Sequence, residues 1–529
     1  MDRKWWTLIA VCTATFMLLL DITVVNVALP DIQRELHSSF SDLQWVVDAY
    51  SLTLAAFLLT AGVIGDMFGR REVFAVGLGM FTVSSLVCGL SVNSLMLNLA
   101  RGAQGVGGAV MFATSLALIA QAFHGRERGT AFGIYGAVIG GAVAVGPLVG
   151  GAITSGIGWR WIFFVNVPIG VVAVAITLAK VQESRDPNTR RVDWIGFITF
   201  SAALFMLVFA LVRGNASGWG SPSIIGLLAG SAVLLVVFVV AEWKQADPML
   251  DLSLYRRPAM SGVSAVGFTL SASIFAMFLY LTLFVQDDLG YGPLAAGVRF
   301  LPITMLAFVV APFAGKLSVR LHARVLLGVG LVLVAVGCLL MAFVKADSGW
   351  TVLLPGFIVG GIGIGTVNPV LASSAIAVVP PERSGMASGA NNTWRQVGIA
   401  TGIAGLGAVF QSRIVSAVSS NLQATAAGRA AAGQHGAALG AAMTSGQLRT
   451  AVRGLPADQA SAVLHAYHAG FASSFNLLML ISTGVAFVGA ILAFVLVRQR
   501  DFVPSHGPAG AAAGTGQGSG APAPAPAVA

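Results

Sequence analysis

Three charged residues of this 529-residue chain stand where hydrocarbon is expected. The stretch "LLLDITVVNVALP" (18–30) ends an apolar run from Trp5 to Pro30 in which Asp21 carries the only charge. Arg101 interrupts "LNLARGAQGVGGA" (97–109), and Asp48 interrupts a run that starts near residue 43. A charged carboxylate in hydrocarbon costs about 2.5–3.5 kcal/mol on insertion scales, so it must be protonated, paired or turned to a wet cavity. At 1.5 Å per residue, Asp21 lies about 13 Å below Pro30, and Arg101 lies roughly 12 Å inside the same-side end of its run. Asp48 sits about five residues in from that side, nearer the interface. An arginine does not practically lose its proton, whereas an aspartate withdrawn from water can gain one. Ionised Asp21 would pair with Arg101 and neutral Asp21 would release it, which makes a proton-responsive site. The competing reading is a permanent ion pair that fixes helix packing, with Asp48 simply hydrated.

Those residues need helices to hold them at depth. The chain is 56% hydrophobic and 10% charged, with mean hydropathy +0.85. Soluble domains carry roughly 25% charged residues, so the soluble classes are excluded. Apolar segments fall near 5–29, 43–64, 73–91, 94–120, 130–154, 161–180, 194–212, 222–241, 260–285, 296–315, 324–344, 351–378, 388–411 and 472–497. Each matches the ~20 residues that cross a ~30 Å hydrocarbon core. The pattern predicts an all-α polytopic membrane protein with fourteen transmembrane spans. The first segment is longer than a signal-peptide core and lacks a small-x-small cleavage site, so it reads as an uncleaved span. Arg3, Lys4, Arg70, Arg71, Arg126, Arg128, Lys180, Arg190, Arg191, Lys316 and Arg320 fall on one side. The positive-inside rule then places both termini in the cytoplasm. The net charge of +9 is therefore a topology signal, and no nucleic-acid partner is implied. Cys12, Cys88 and Cys338 lie inside apolar runs and suggest neither a disulfide framework nor a metal site.

An internal repeat organises the segments. "GVIGDMFGRR" (62–71) follows the second span and "GKLSVRLHAR" (315–324) follows the tenth. In the second copy Val319 stands at the Asp66 position and His322 at the Gly69 position, and "RGAQGVG" (101–107) similarly aligns with "VGGIGIG" (359–365). The chain divides into a six-helix half (1–180), inserted spans 7 and 8 with their linkers (181–259), and a second six-helix half (260–503) with an Ala/Gly-rich outside loop at 412–470 whose composition also allows some helix. A low-complexity tail follows (504–529), expected to be a disordered cytoplasmic segment. Repeated halves about a central site are the architecture of secondary transporters. In "GVIGDMFGRR", Gly62 and Gly69 allow a tight turn, Asp66 can accept from a helix N-terminus, and Arg70 and Arg71 can latch to acidic partners. In "GIYGAVIGGAVAVGPLVGG" (133–151), small residues including Gly146, Gly150 and Gly151 permit close helix packing, and Pro147 breaks the ladder.

Weaker signals carry less. "GFIVGGIGIG" (356–365) lies inside an apolar span, with no preceding strand and no ribose-binding acid, and reads as packing rather than dinucleotide binding. His465 and His468 lack the partners of a metal site. Gln286, Asp287 and Asp288 form either a solvated cap or a mouth that attracts cations. Arg395 reads as snorkelling or locally paired, with a contact to substrate as the lesser alternative. No nucleophile–base or metal set suggests an enzyme, and no Walker sequence suggests ATP.

Together these stretches resemble the major facilitator superfamily, specifically its fourteen-span drug:proton antiporter branch. "LDITVVNVALPDI", "GVIGDMFGRREVF", "LNLARGAQGVGGA", "GPLVGG" (146–151), "WRWIFFVNVPIG" (159–170) and "GMASGANNTWRQVG" (385–398) carry the resemblance, which extends to about residue 500. Ala142 departs from it, standing where the span 5 motif usually has glycine. The resemblance implies a major facilitator fold of two six-helix halves plus two inserted helices. It also implies proton coupling at Asp21 and Arg101, to which depth adds Asp48. The cytoplasmic gate would comprise Gly62, Asp66, Gly69, Arg70 and Arg71, and Gly146 with Pro147 would shape a leak-suppressing helix.

The expected function is proton-coupled export of small amphipathic compounds, drugs or antibiotics, by alternating access across a bacterial cytoplasmic membrane. The partners expected are protons, the substrate and the lipid bilayer. The proton gradient would be the energy source, no cofactor is expected, and the unit would be a monomer. A dedicated exporter of one endogenous metabolite is the alternative. A non-transporting sensor or scaffold fits less well, since no sizeable output domain is visible in the sequence.

Overall fold

The computed structural model describes residues 2–38, 40–185, 193–245, 248–433, 452 and 455–503. Most of the linker 181–193, the middle of the 412–470 stretch and the tail 504–529 lie outside the described residues. Each apolar segment forms helix: α1 (Arg3–Leu36), α2 (Phe40–Phe68), α3 (Arg70–Gly89), α4 (Ser94–Ala122), α5 (Gly125–Gly156), α6 (Trp161–Lys180), α7 (Trp194–Ser217) and α8 (Pro222–Lys244). After these come α9 (Pro258–Gln286), α10 (Pro293–Leu317), α11 (Ala323–Leu340), α12 (Leu354–Ala377), α13 (Ser384–Ala424) and α14 (Ala457–Leu496). Thirteen helical stretches among the described residues are long and apolar enough to cross a membrane. The 32-residue α5, outside that set, holds the fifth apolar segment. Local chemistry sets several starts. Asn93 caps α4 by accepting from Met96 N, Asp193 caps α7 through Gly196 N, and Ser221 caps α8 with Pro222 at its first turn.

The helices extend further than hydropathy alone implies. Apolar character stops near residue 411 and resumes at 472, yet α13 runs to Ala424 and α14 begins at Ala457. Alanine-rich sequence sustains a helix without needing an apolar surface, so the described parts of 412–470 are mainly helical.

Helices α1–α6 pack together, as do α9–α14, and the α7–α8 pair reaches this core through α2 and α13. Helix α8 presents Val233, Val236, Val240 and Trp243 outward, a face suited to lipid. The two groups meet along two seams, α5 against α10 and α2 against α13. Glycine sets the spacing of both. A side chain on Gly62 would overlap the carbonyl oxygen of Gly385, and one on Gly315 would overlap that of Gly129. Gly62 and Gly315 are the first residues of the two repeat copies, so the copies hold matching places. Where Asp66 lies against Gly385, Val319 lies against Gly129. Both seams are tight at the end of the bundle that carries the α2–α3 loop. That end also holds Lys4 paired with Glu127, and Val503 N donating to Ala377 O.

Overpacking such a contact costs about 1–3 kcal/mol. Gly315→Leu is therefore expected to disfavour closure of the α2–α3 end while leaving circular-dichroism helicity unchanged. With the native cysteines replaced by alanine, maleimide alkylation of Ser384→Cys, buried at this end, should be faster in the leucine variant. Equal alkylation rates would remove the seam's role.

Candidate functional site

Asp21 and Arg101 meet in the first half. Asp21 is 4% exposed and Arg101 1%, and the guanidinium Nη1 donates to Asp21 Oδ2. Helix α4 makes this possible because Arg101 and Gln104, three residues apart, share one face. Gly105 lets α2 approach so closely that a side chain there would overlap the Tyr50 carbonyl oxygen and Thr53. Arg101 is thereby inserted under the Tyr50 ring at 4.2 Å and donates from Nε to Val46 O at 3.0 Å. Two neutral amides complete the set. Gln104 accepts from Arg101 Nη1 at 2.8 Å and donates to Asp21 Oδ1 at 3.0 Å. Asn166 Nδ2 reaches the same Asp21 oxygen at 3.5 Å and Ser85 Oγ at 3.1 Å.

This arrangement gives the cation alternatives. If Asp21 took a proton, Arg101 would lose its counter-ion but keep Val46 O, Gln104 Oε1 and the face of Tyr50, which lowers the cost of separation. Asn166 belongs to "WRWIFFVNVPIG", whose other residues also hold this corner. Trp159 Nε1 donates to Glu35 Oε2 at 2.6 Å, Arg160 pairs with Glu35, and Ser85 donates to Phe163 O at 2.9 Å. Tyr50, Gln104 and Asn166 escaped sequence reasoning because they are uncharged. The available signal was the i,i+3 spacing of Gln104 from Arg101 and the place of Asn166 in the Trp159 motif; for Tyr50 there was none.

Burial pushes the Glu35 carboxyl up, but the hydrogen bonds from Arg160 and Trp159 outweigh it and hold it below its ordinary 4.5. A group lowered by folding adds stability above its unfolded value, and that stability is lost as pH falls through the folded one. The pair is half-exposed, so its worth is at most about 1 kcal/mol. Glu35→Gln should lower the melting temperature slightly at pH 7. The difference from wild type should shrink as pH falls below 4.5 and vanish once Glu35 is protonated. A constant difference across pH would remove the ionic contribution.

Asp48 lies elsewhere. Its carboxylate is 3.6 Å from Arg213 Nε on α7, and Arg213 also donates to Gln44 Oε1 at 2.8 Å. Asp48 is two residues, about 200° of helical turn, from the Tyr50 that faces Arg101. Shared depth did not mean a shared face. The Asp48–Arg213 pair borders a cavity of about 400 Å³ with Gln33 and Gln44. Arg213 was passed over because it lies just beyond the end of its apolar run.

The α2–α3 motif forms a latch across the halves. Asp66 accepts from Gly385 N at 2.9 Å and Met386 N at 2.8 Å, the first turn of α13, where a helix N-terminus favours a carboxylate. Arg70 Nε donates to Asp66 at 2.8 Å, and its Nη2 donates to Pro381 O at 2.9 Å and Glu382 O at 2.7 Å. Gly69 adopts φ +113°, and the Glu183 carboxylate fills the space a side chain would need. Glu183 accepts from Arg71 N at 3.0 Å and lies 3.7 Å from Arg71 Nε. "GMASGANNTWRQVG" thus supplies the amides that receive Asp66.

In α5, a side chain on Gly146 would overlap Thr23, and Gly150 would bring one within 3.1 Å of Val24 Cα. These glycines fit α5 against α1 beside Asp21. Gly151 faces open space, and the Pro147 side chain lies outside the described residues. Arg395 Nη2 donates to Asn368 Oδ1 at 3.2 Å, and His468 Nδ1 pairs with Asp288 at 2.7 Å. The Asp287 side chain lies outside the described residues.

Known proteins are similar to this chain. A 37% identity over 79% of this chain links it to Multidrug resistance protein Stp of Mycobacterium tuberculosis, 78% of which is covered. The Tetracenomycin C resistance and export protein of Streptomyces glaucescens is 32% identical over 93% of this chain and 91% of its own. A puromycin resistance protein of Streptomyces alboniger is 37% identical over 77% of this chain and 82% of its own. The crystal structure of a human organic anion transporter superposes with TM-score 0.59 at 15% identity, covering 92% of this chain and 100% of that one, a likeness of fold. The chain is a multi-pass membrane transporter and not an enzyme. The family model for the Major Facilitator Superfamily matches residues 11–403, and the chain belongs to that superfamily.

Proposed function

We propose that the protein is a proton-coupled antiporter that exports small amphipathic compounds across the bacterial cytoplasmic membrane by alternating access. The observation that carries this reading is the buried Asp21–Arg101 pair with its amide partners Gln104 and Asn166. A carboxylate that can take up a proton faces a cation that keeps other acceptors. Switching it between paired and neutral changes what holds α1 to α4.

The α2–α3 end is assigned to the cytoplasm, in keeping with its arginines and lysines. On that assignment the tight seams and the Asp66 latch close the cytoplasmic side, and the cavity beside Asp48 lies on the outer side. An outside proton reaching Asp21 would loosen the first half, after which the cytoplasmic seal opens to load substrate. Each coupled proton supplies about 1.36 kcal/mol per pH unit and about 2.3 kcal/mol per 100 mV, so no nucleotide or cofactor is needed. One chain contains both halves and the latch, which supports a monomeric unit.

Inverted membrane vesicles test the proposal. Acidifying their interior should drive uptake of ethidium and Hoechst 33342, and nigericin should abolish it. Uptake that survives collapse of the gradient would sink proton coupling. The tetracenomycin exporter matches over 93% of the chain, which keeps a dedicated metabolite exporter as a second reading. Transport of a single compound from a broad panel would select it.

A further inference from the structure

The inserted pair α7–α8 brings two acids together at the latch end. Asp193 caps α7, and Glu242 stands in the last turn of α8, only 4% exposed. A side chain on Gly196 would come within 2.3 Å of Asp193 Oδ2 and 2.6 Å of Glu242 Oε1, so these two oxygens meet over one bare glycine. Both oxygens are buried, and neither receives a hydrogen bond. Their partners on the same carboxyls are engaged. Asp193 Oδ1 accepts from Gly196 N at 2.7 Å and Gln245 Nε2 at 2.8 Å, and Glu242 Oε2 accepts from Leu250 N at 3.1 Å. Among the described residues the charged group that acts on Glu242 is Asp193 itself. Lys244 lies about 200° round the helix and is exposed, and Asp251 turns to Ser253 and Arg383. Two like charges this close and out of water are not both kept. A metal cation would ask for several more oxygen ligands than these two. One proton needs only the pair, as the hydrogen of a single O–H···O⁻ bond.

The segment that Glu242 holds is tied to the latch. Met249 and Leu250 are 5% and 6% exposed, and Thr60 Oγ1 of α2 contacts Met249 Sδ at 3.9 Å. The next residue, Asp251, accepts from Arg383 Nη1 at 2.9 Å. Arg383 ends the short turn Pro381–Arg383, in which the Pro381 and Glu382 carbonyls receive Arg70. Residues 249–251 thus connect the acid pair to the α13 side of the latch. We propose that Asp193 and Glu242 share one proton exchanged with the cytoplasm, and that this proton sets how readily the latch end opens. With the proton in place, Glu242 holds Leu250 N and the segment braces the turn before α13. Without it the carboxylates repel, Glu242 turns away and the brace slackens. The state that binds more protons is disfavoured as pH rises, so an alkaline cytoplasm favours opening. This switch rests on the cytoplasmic assignment of the latch end, and its readouts involve no transported compound, so they stand or fall apart from export.

Infrared spectroscopy of the full-length protein in phospholipid nanodiscs, with and without sodium or potassium chloride, reads the proton. Wild type should show the C=O stretch of a buried protonated carboxyl at neutral pH. Glu242→Gln and Asp193→Asn should each remove it, because the new amide donates in place of the O–H and leaves its partner ionised. The second readout is maleimide alkylation of Ser384→Cys, with Cys12, Cys88 and Cys338 replaced by alanine. Its rate is compared at each pH with that of the same protein carrying Glu242→Gln, which cancels the ionisation of the thiol. The glutamine amide donates at every pH. The ratio of the two rates should therefore start near one at low pH and rise by up to about tenfold per pH unit once the pair loses its proton. A band that survives both variants, or that sodium or potassium abolishes, overturns the shared proton. A ratio that stays near one across the pH series leaves a fixed clasp and overturns the switch.

Discussion

Asp21→Asn is expected to end proton-driven accumulation while leaving substrate exchange in place. In the wild type each coupled proton sustains about a tenfold gradient per pH unit; in the variant the ratio should fall to about one. Removing one partner of a buried pair costs about 3–5 kcal/mol, because the remaining charge is stranded. Here Val46 O, Gln104 Oε1 and the Tyr50 ring remain for Arg101, so the folding penalty should lie at the lower end. If Asp21→Asn nevertheless accumulates poorly in the membrane, Asp21→Asn with Arg101→Gln removes both charges and keeps the amide network. The double variant should fold, exchange labelled dye across vesicles and fail to respond to a pH gradient. Asp21→Glu should retain a pH response with a shifted profile. A pH-driven gradient maintained by the double variant would overturn the coupling role. A pair that served packing alone would lose stability in the single variants without this split between exchange and accumulation.

The sequence made the site's charges visible and left its partners hidden, for a physical reason. Asp21 and Arg101 stand out because charge in hydrocarbon is costly, and depth counting set them level. Depth has no angular part, so it grouped Asp48 with them although helical rotation turns Asp48 toward Arg213. Gln104 and Asn166 carry no charge, and nothing in composition separates such an amide from an ordinary packing residue. The latch was legible from one side only. "GVIGDMFGRR" announced an acceptor for a helix N-terminus, but the helix it caps starts some 320 residues later at Ser384. The 412–470 stretch read as a loop with some helix of no definite bounds because hydropathy measures the solvent a helix faces, and α13 and α14 continue beyond the apolar zone.

That long-range latch carries the other large effect. Asp66 accepts two backbone amides of α13 and the Arg70 guanidinium, all within 2.9 Å. Hydrogen bonds to a charged group are each worth about 1.5–3 kcal/mol, and the two from Gly385 N and Met386 N exist only while the α2–α13 seam is closed. Asp66→Ala takes away all three and leaves the first amides of α13 with no acceptor in a buried place. Allowing for solvent reaching them once the seam parts, a net loss of roughly 2–4 kcal/mol moves the closed-to-open ratio by about 30- to 1000-fold. Ser384 is buried beside the latch, so a cysteine there reports opening. With Cys12, Cys88 and Cys338 replaced by alanine, maleimide alkylation of Ser384→Cys should be slow with Asp66 present and at least about tenfold faster with Asp66→Ala. Dye export should fall in parallel, because a carrier that cannot close one side dissipates its own gradient. Arg70→Lys should give an intermediate rate, since an ammonium can pair with Asp66 but cannot also span Pro381 O and Glu382 O as the guanidinium does. Alkylation at the wild-type rate in Asp66→Ala would mean that the glycine seams alone hold this side closed.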